Sequence, residues 1–195
     1  YEGEWKDGLE HGYGLYQSSE FQYIGEWQDG WITGKGKLTY NNNDYYEGDF
    51  VENQKFGVGH YEFANGDYYD GEFVDDTFNG LGTLHFKDGS VYEGEFHNGK
   101  IQGDVTLFIK QGNSVLSITA NWDGTNKMPS SGSIMFPNGD LYEGELKDGK
   151  PTVNGCWSSL KERENGHINR EINTHKANEY FKKHRAAIEN FVTKT

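Results

Sequence analysis

With one cysteine, Cys156, among 195 residues, the chain can form no internal disulfide. It has no N-x-S/T acceptor, no signal peptide and no long apolar run. Together these absences favour the cytosol or nucleus. Hydrophobic residues make up only 33%, little for a large globular core, but aromatics reach 15%, which disordered chains lack. Cations are scarce, with 18 Lys and Arg against 31 Asp and Glu, net −13. Residues 156–195 hold eight Lys/Arg and five Glu, so they carry +3 and residues 1–155 carry −16. A surface that negative repels nucleic acid and anionic lipid headgroups and favours basic partners.

Catalytic patterns are missing as well. The seven histidines are scattered, and none stands at metal-ligand spacing from Cys or carboxylate partners. Cys156 lacks the sequence setting of a nucleophile. The many G-x-G pairs sit in strand patterns, and none opens a helix as a phosphate-binding loop does. The acidic residues are spread along the chain and do not converge in one sharp loop, which argues against a calcium site. The expectation is a non-enzyme without cofactor or metal.

What is present is repetition. Tyr1–Trp5 reads YEGEW, and related stretches start at Tyr23 (YIGEW), Tyr46 (YEGDF), Tyr69 (YDGEF), Tyr92 (YEGEF) and Tyr142 (YEGEL). The first five are spaced by 22, 23, 23 and 23 residues, and a weaker copy, Ile118–Trp122 (ITANW), lies between the last two. Each stretch alternates like a half-buried strand, with a glycine between two rings. Turn pairs follow at Asp7-Gly8, Asp29-Gly30, Asn98-Gly99 and Asp148-Gly149, with Val74-Asp75-Asp76 in the same slot. Such pairs supply the positive φ of a tight hairpin. A second strand, Gly80–Phe86 in the Tyr69 copy, then runs to Asp88-Gly89 and the next repeat. Successive hairpins should pair laterally into one antiparallel meander.

Period two puts Tyr69, Gly71, Phe73, Gly80, Gly82, Leu84 and Phe86 on one face. The glycines should open slots in which the rings lie flat over bare backbone. Carboxylates take the reverse face: Glu2/Glu4, Glu26, Glu47/Asp49, Asp70/Glu72, Glu93/Glu95 and Glu143/Glu145, relieved by Lys35, Lys37, His60 and His85. That ladder reads mainly as a solvated face, with a basic partner as the functional alternative.

The pattern Y-x-G-x-[WF]-x-x-G-x-x-x-G-x-G at a 23-residue step resembles the MORN (membrane occupation and recognition nexus) repeat family over residues 1–157. The resemblance implies an all-β repeat array: an elongated, curved single-layer antiparallel sheet of six to seven hairpins. Its known members include junctional membrane proteins, lipid kinases, a lysine methyltransferase, ciliary and cytoskeletal scaffolds and a myosin-binding adaptor. It therefore implies an interaction module, a cytoplasmic, cytoskeletal or ciliary scaffold, or a lipid-associated regulatory arm. Tyr1 already lies within a repeat, which predicts a longer parent protein. Residues 103–135 break the step, with Lys110–Ser117 and Thr125–Ser131 reading as enlarged turns.

Two candidate surfaces follow. Tyr23, Trp27, Tyr40, Tyr46, Phe50, Tyr61, Phe63, Tyr69, Phe73, Phe86, Tyr92 and Phe96 would line one trough. Either a basic or amphipathic protein segment fills it, or the chain's own tail does, or curvature and mutual packing of the rings close it. After a linker or irregular hairpin at 158–172, residues 173–195 change to helical spacing. Tyr180, Phe181, Ile188, Phe191 and Val192 form its apolar stripe, beside Lys176, Lys182, Lys183 and Arg185. This helix could cap its own sheet, dock on a second copy in a homodimer, lie on a membrane or bind a partner. The acidic repeats count against the membrane.

Overall fold

The structure is a computed structural model and describes residues 1–125, 129–147 and 150–160. Among these residues, fourteen strands form one antiparallel sheet in which every strand lies beside its sequence neighbours. Seven hairpins in strict order match the expected meander. The predicted C-terminal helix and its docking residues lie outside the described residues. The chain divides into two compact units, residues 1–87 with 96–99, and residues 88–95 with 100–195.

The first unit contains β1 (Glu2–Lys6), β2 (Leu9–Gln17), β3 (Phe21–Gln28), β4 (Trp31–Tyr40), β5 (Tyr45–Val51), β6 (Gln54–Glu62), β7 (Tyr68–Val74) and β8 (Thr77–His85). Its tight turns have positive φ at both central residues: Asp7-Gly8, Asp29-Gly30, Glu52-Asn53 and Asp75-Asp76. That is the mirror-image turn whose twist matches paired strands. The β4–β5 and β6–β7 turns between repeats each use one left-handed residue, Asn43 (φ 70°) and Gly66 (φ 89°). Here Asn42 and Asn65 accept from the N–H two residues on, at 3.0 and 2.8 Å.

The second strand of the Tyr69 hairpin is longer than predicted. β8 starts at Thr77, three residues before Gly80. The reason is a bulge. Gly71 faces Gly82, but Glu72 faces Asn79, so Gly80 and Leu81 are extra on β8. The same shift recurs between β1 and β2 and between β5 and β6. The left-handed glycines Gly12, Gly34, Gly57 and Gly80, at φ between 60° and 65°, provide the bend.

Consecutive repeats are tied at both rims. Asp44 accepts from Ala64 N–H at 2.7 Å and Asp67 from Lys87 N–H at 2.8 Å. At the opposite rim, Asn53 accepts from Ile32 N–H at 2.8 Å and Asp76 from Lys55 N–H at 3.0 Å.

The second unit contains β9 (Val91–His97), most of which belongs to it, with β10 (Lys100–Gln111), β11 (Ser114–Asp123), β12 (Ser131–Met135), β13 (Leu141–Lys147) and β14 (Lys150–Ser158). The enlarged turn expected at Lys110–Ser117 is instead strand on both sides of a short turn, with ten paired positions between β10 and β11. The alternating aliphatic pattern from Val105 to Ile118 keeps the strands long. Val105 and Ala120 pair where other repeats carry glycines.

Candidate functional site

The glycines form a continuous lane. Gly3, Gly14, Gly25 and Gly36 face one another in sequence across β1–β4, and Gly48, Gly59, Gly71 and Gly82 continue the lane across β5–β8. Rings of Tyr1, Tyr23, Tyr46 and Tyr69 lie on this lane. A Cβ at the glycine pair beneath each ring would come closer than 3.0 Å to it. Each phenol donates to the carbonyl three residues on, at the register shift. The distances are 3.1 Å for Tyr23 to Glu26, 2.9 Å for Tyr46 to Asp49 and 3.1 Å for Tyr69 to Glu72. The slot expected from sequence therefore exists, with a polar anchor at its end.

Gly94 departs from the expectation. The nearest atoms to a Cβ there belong to Val105 and Asp104, not to the Tyr92 ring. Val105 replaces the partner glycine and occupies that space.

Above the slots the rings pack edge to face. Tyr23 meets Trp27 and Phe50 at 5.4 and 5.2 Å, and Tyr46 meets Phe50 and Phe73 at 5.1 and 4.7 Å. Tyr69 has Phe78 stacked on it at 3.9 Å, with Phe73 and Phe96 at its edges. Nine of the twelve predicted trough residues are buried: Tyr23, Trp27, Tyr46, Phe50, Tyr69, Phe73, Phe86, Tyr92 and Phe96. Tyr40, Tyr61 and Phe63 remain half-buried. Of the fates weighed for this face, mutual ring packing is seen at Tyr23, Tyr46, Phe50, Tyr69 and Phe73.

The three half-buried rings form a strip in the first unit. Tyr61 is 4.8 Å from Phe63, 6.3 Å from Tyr40 and 6.2 Å from Phe78, which is also half-buried. Tyr61 donates to Asp44 at 3.0 Å, and its own burial, helped by that bond, raises its pKa. Lys55 lies buried at the strip's edge. Its Nζ is 2.9 Å from Tyr40 Oη and 3.1 Å from Asp76, and 5.6 to 5.9 Å from the ring centres of Tyr40, Tyr46 and Tyr61. A buried ammonium needs such compensation. Lys55 escapes sequence reading because the matching positions in other copies are not lysine.

The carboxylate ladder has a structural role that the solvated-face reading misses. In three copies the second acid caps the bulge: Glu4 accepts from Tyr13 N–H at 3.2 Å, Glu26 from Lys35 N–H at 3.0 Å and Glu72 from Leu81 N–H at 3.1 Å. Asp49, one methylene shorter, pairs with Lys35 Nζ at 2.7 Å. In the second unit, bonds from Thr152 and Asn154 hold the Glu145 carboxyl below its ordinary pKa. The bulge lifts Tyr13, Val58 and Leu81 into solvent, at 60%, 65% and 64% exposure. Also on this face, His60 lies 2.7 Å from Asp70, and His85 stacks on Tyr68 at 4.3 Å. Tyr45 donates to Glu62 at 2.8 Å, which with desolvation pushes its pKa up to about 12.

Burial raises the pKa of Tyr23, Tyr46 and Tyr69 well above 10. The unfolded phenols ionise near 10, so stability is full below that pH and is lost as pH rises toward the folded values. Absorbance titration should show these phenols silent past pH ~10. They should then ionise in the same step in which far-ultraviolet dichroism reports unfolding. Ionisation of all the tyrosines near 10 in a folded chain would contradict the slot geometry.

Among the described residues, no group of three or more His, Cys, Asp or Glu could hold a metal ion, and no helix is long and apolar enough to cross a membrane. The arrangement is a ring-floored β-meander, with many of its polar groups engaged in holding the backbone. The family model for MORN repeats matches residues 1–20, 23–45, 46–68, 69–91, 92–103 and 142–159, more than half of the chain. The chain belongs to the MORN repeat family. Alsin from Rattus norvegicus and from Homo sapiens are each 34% identical over 61 residues. That is 28% of this chain, which spans only 4% of either Alsin. Among solved structures, it resembles the TCP domain of SAS-4 (dCPAP) in complex with a proline-rich motif of Ana2 (dSTIL) of Drosophila melanogaster. That match has a TM-score of 0.44 at 13% identity and covers 67% of this chain and 71% of the other. The family suggests a non-enzymatic interaction or scaffold module.

Proposed function

We propose that the chain is a non-catalytic cytoplasmic interaction module that holds an extended or helical protein segment along the strip of Tyr40, Tyr61, Phe63 and Phe78. One observation carries this reading: four rings meet one another over a sealed aromatic floor, yet stay part-open on a sheet face. Rigid rings offer contact area at small entropic cost, and aromatic clusters are preferred anchors of interfaces. The charge of −16 over residues 1–155 favours a partner with Lys or Arg beside its apolar anchors.

Peptides selected from a random library against the full chain test this. Binders should combine apolar anchors with basic flanks. Tyr61→Ala with Phe63→Ala should weaken them about tenfold or more, the loss expected of a removed anchor of at least ~1.4 kcal/mol. Val58→Ser with Leu81→Ser should leave them unaffected. The reverse pattern would place binding on the bulged face and overturn the proposal.

A further inference from the structure

In the first unit each hairpin sets one residue of its second strand opposite the Trp or Phe that closes the first. Glu10 stands opposite Trp5, Ile32 opposite Trp27, Lys55 opposite Phe50 and Phe78 opposite Phe73. Phe78 lays a ring on Tyr69 at 3.9 Å. Lys55 brings an ammonium to the equivalent place beside Tyr46. Its Nζ lies 5.6 Å from the ring centre of Tyr40 and 5.9 Å from those of Tyr46 and Tyr61. It donates to Tyr40 Oη at 2.9 Å and pairs with Asp76 at 3.1 Å. Asp76 comes from the turn between β7 and β8, so the positive end of the pair is the one set among the rings.

Tyr40 and Tyr61 also belong to the half-open strip, where their ring centres are 6.3 Å apart. The cation therefore stands where a guest side chain would enter between them. At the other margin Tyr61 donates to Asp44 at 3.0 Å, so the strip changes sign across its width. An aromatic face that already attracts one cation offers less to a second, and two cations in one cage repel.

We propose that Lys55 is a specificity-determining residue: it bars Lys and Arg from the anchor seated between Tyr40 and Tyr61, so that this anchor is uncharged and the partner's basic residues lie toward Asp44. The inference rests on the strip being a partner site. Three rings and a carboxylate form a cage suited to a guest cation, and the chain fills it with its own. Lys55→Met keeps the bulk of the stem, removes the charge and opens the cage to a cation.

Peptides from the random library that lose binding on Tyr61→Ala with Phe63→Ala supply the probe. Each apolar anchor of one such peptide is replaced in turn by Arg. Dissociation constants are then measured on the wild-type chain, on Lys55→Met and on Lys55→Arg. Lys55→Gln serves as a second neutral variant, and circular dichroism checks that each chain keeps its strand signal. The wild-type chain should reject Arg at every anchor. At one anchor only, Lys55→Met and Lys55→Gln should reduce that discrimination about tenfold or more. Lys55→Arg, which keeps the charge, should retain it. Discrimination that stays the same without the charge overturns the role of Lys55 and leaves the strip standing. So does discrimination relaxed equally at all anchors, which a mere change of net charge would produce. A library with no peptide dependent on Tyr61 and Phe63 overturns both.

Discussion

Gly82→Val is expected to unfold the first unit, or to lower its stability by about 4 kcal/mol or more. A Cβ at this position would come within 3.0 Å of the Tyr69 ring, and Phe78 stacked at 3.9 Å stops the ring from rising. The ring must leave its slot. It then re-exposes roughly 150–250 Å², worth about 4–6 kcal/mol at ~25 cal/mol per Å². Small domains have only about 5–15 kcal/mol in total. Thr83→Val, one residue on and facing Asp70 across the pair, should change stability by less than ~1 kcal/mol. Urea unfolding of the two variants decides the matter, and coincident midpoints would refute the slot account.

Tyr69→Ala should cost about 3–5 kcal/mol, the range for emptying a buried aromatic site. Tyr69→Phe should cost about 1–3 kcal/mol, since it keeps the ring and leaves the Glu72 carbonyl without the phenol. The difference separates ring burial from the polar anchor. If Phe proved as damaging as Ala, the hydrogen bond at the bulge would be the main support. Denaturant midpoints at pH 7, where the phenol is protonated, measure both.

Much of the fold is legible in the sequence because its signals are local. Asp-Gly and Asn-Gly pairs fix the turns, and alternation fixes the faces. The bulge is not legible. Gly80 and Leu81 look like ordinary strand positions until the register shows Glu72 facing Asn79. Without that shift, Glu4, Glu26 and Glu72 look like surface charge, and Leu81 and Val58 give no hint of their exposure. β10 and β11 were obscured for a related reason. The glycine pair that marks other repeats becomes Val105 and Ala120, so the segment looks broken although its alternation is intact.

The candidate site is less legible. Sequence puts the rings of the trough on one face but cannot say which of them cover the others. Phe78 over Tyr69 and Phe50 against Tyr23 are contacts between strands of different repeats or at different heights. Those contacts separate buried Tyr46 from half-open Tyr61. Lys55 likewise depends on Asp76, which approaches from the next repeat's turn.

Strict sequence order of β1–β8 also governs how the first unit yields to force. Tension applied between β1 and β8 loads each ladder across its width, so hairpins peel away one by one. No pair of strands must shear along its whole length. The rim ties from Asp44, Asp67, Asn53 and Asp76 act as successive catches along that path. The unit would lengthen in repeat-sized steps under modest load and recoil by the same route.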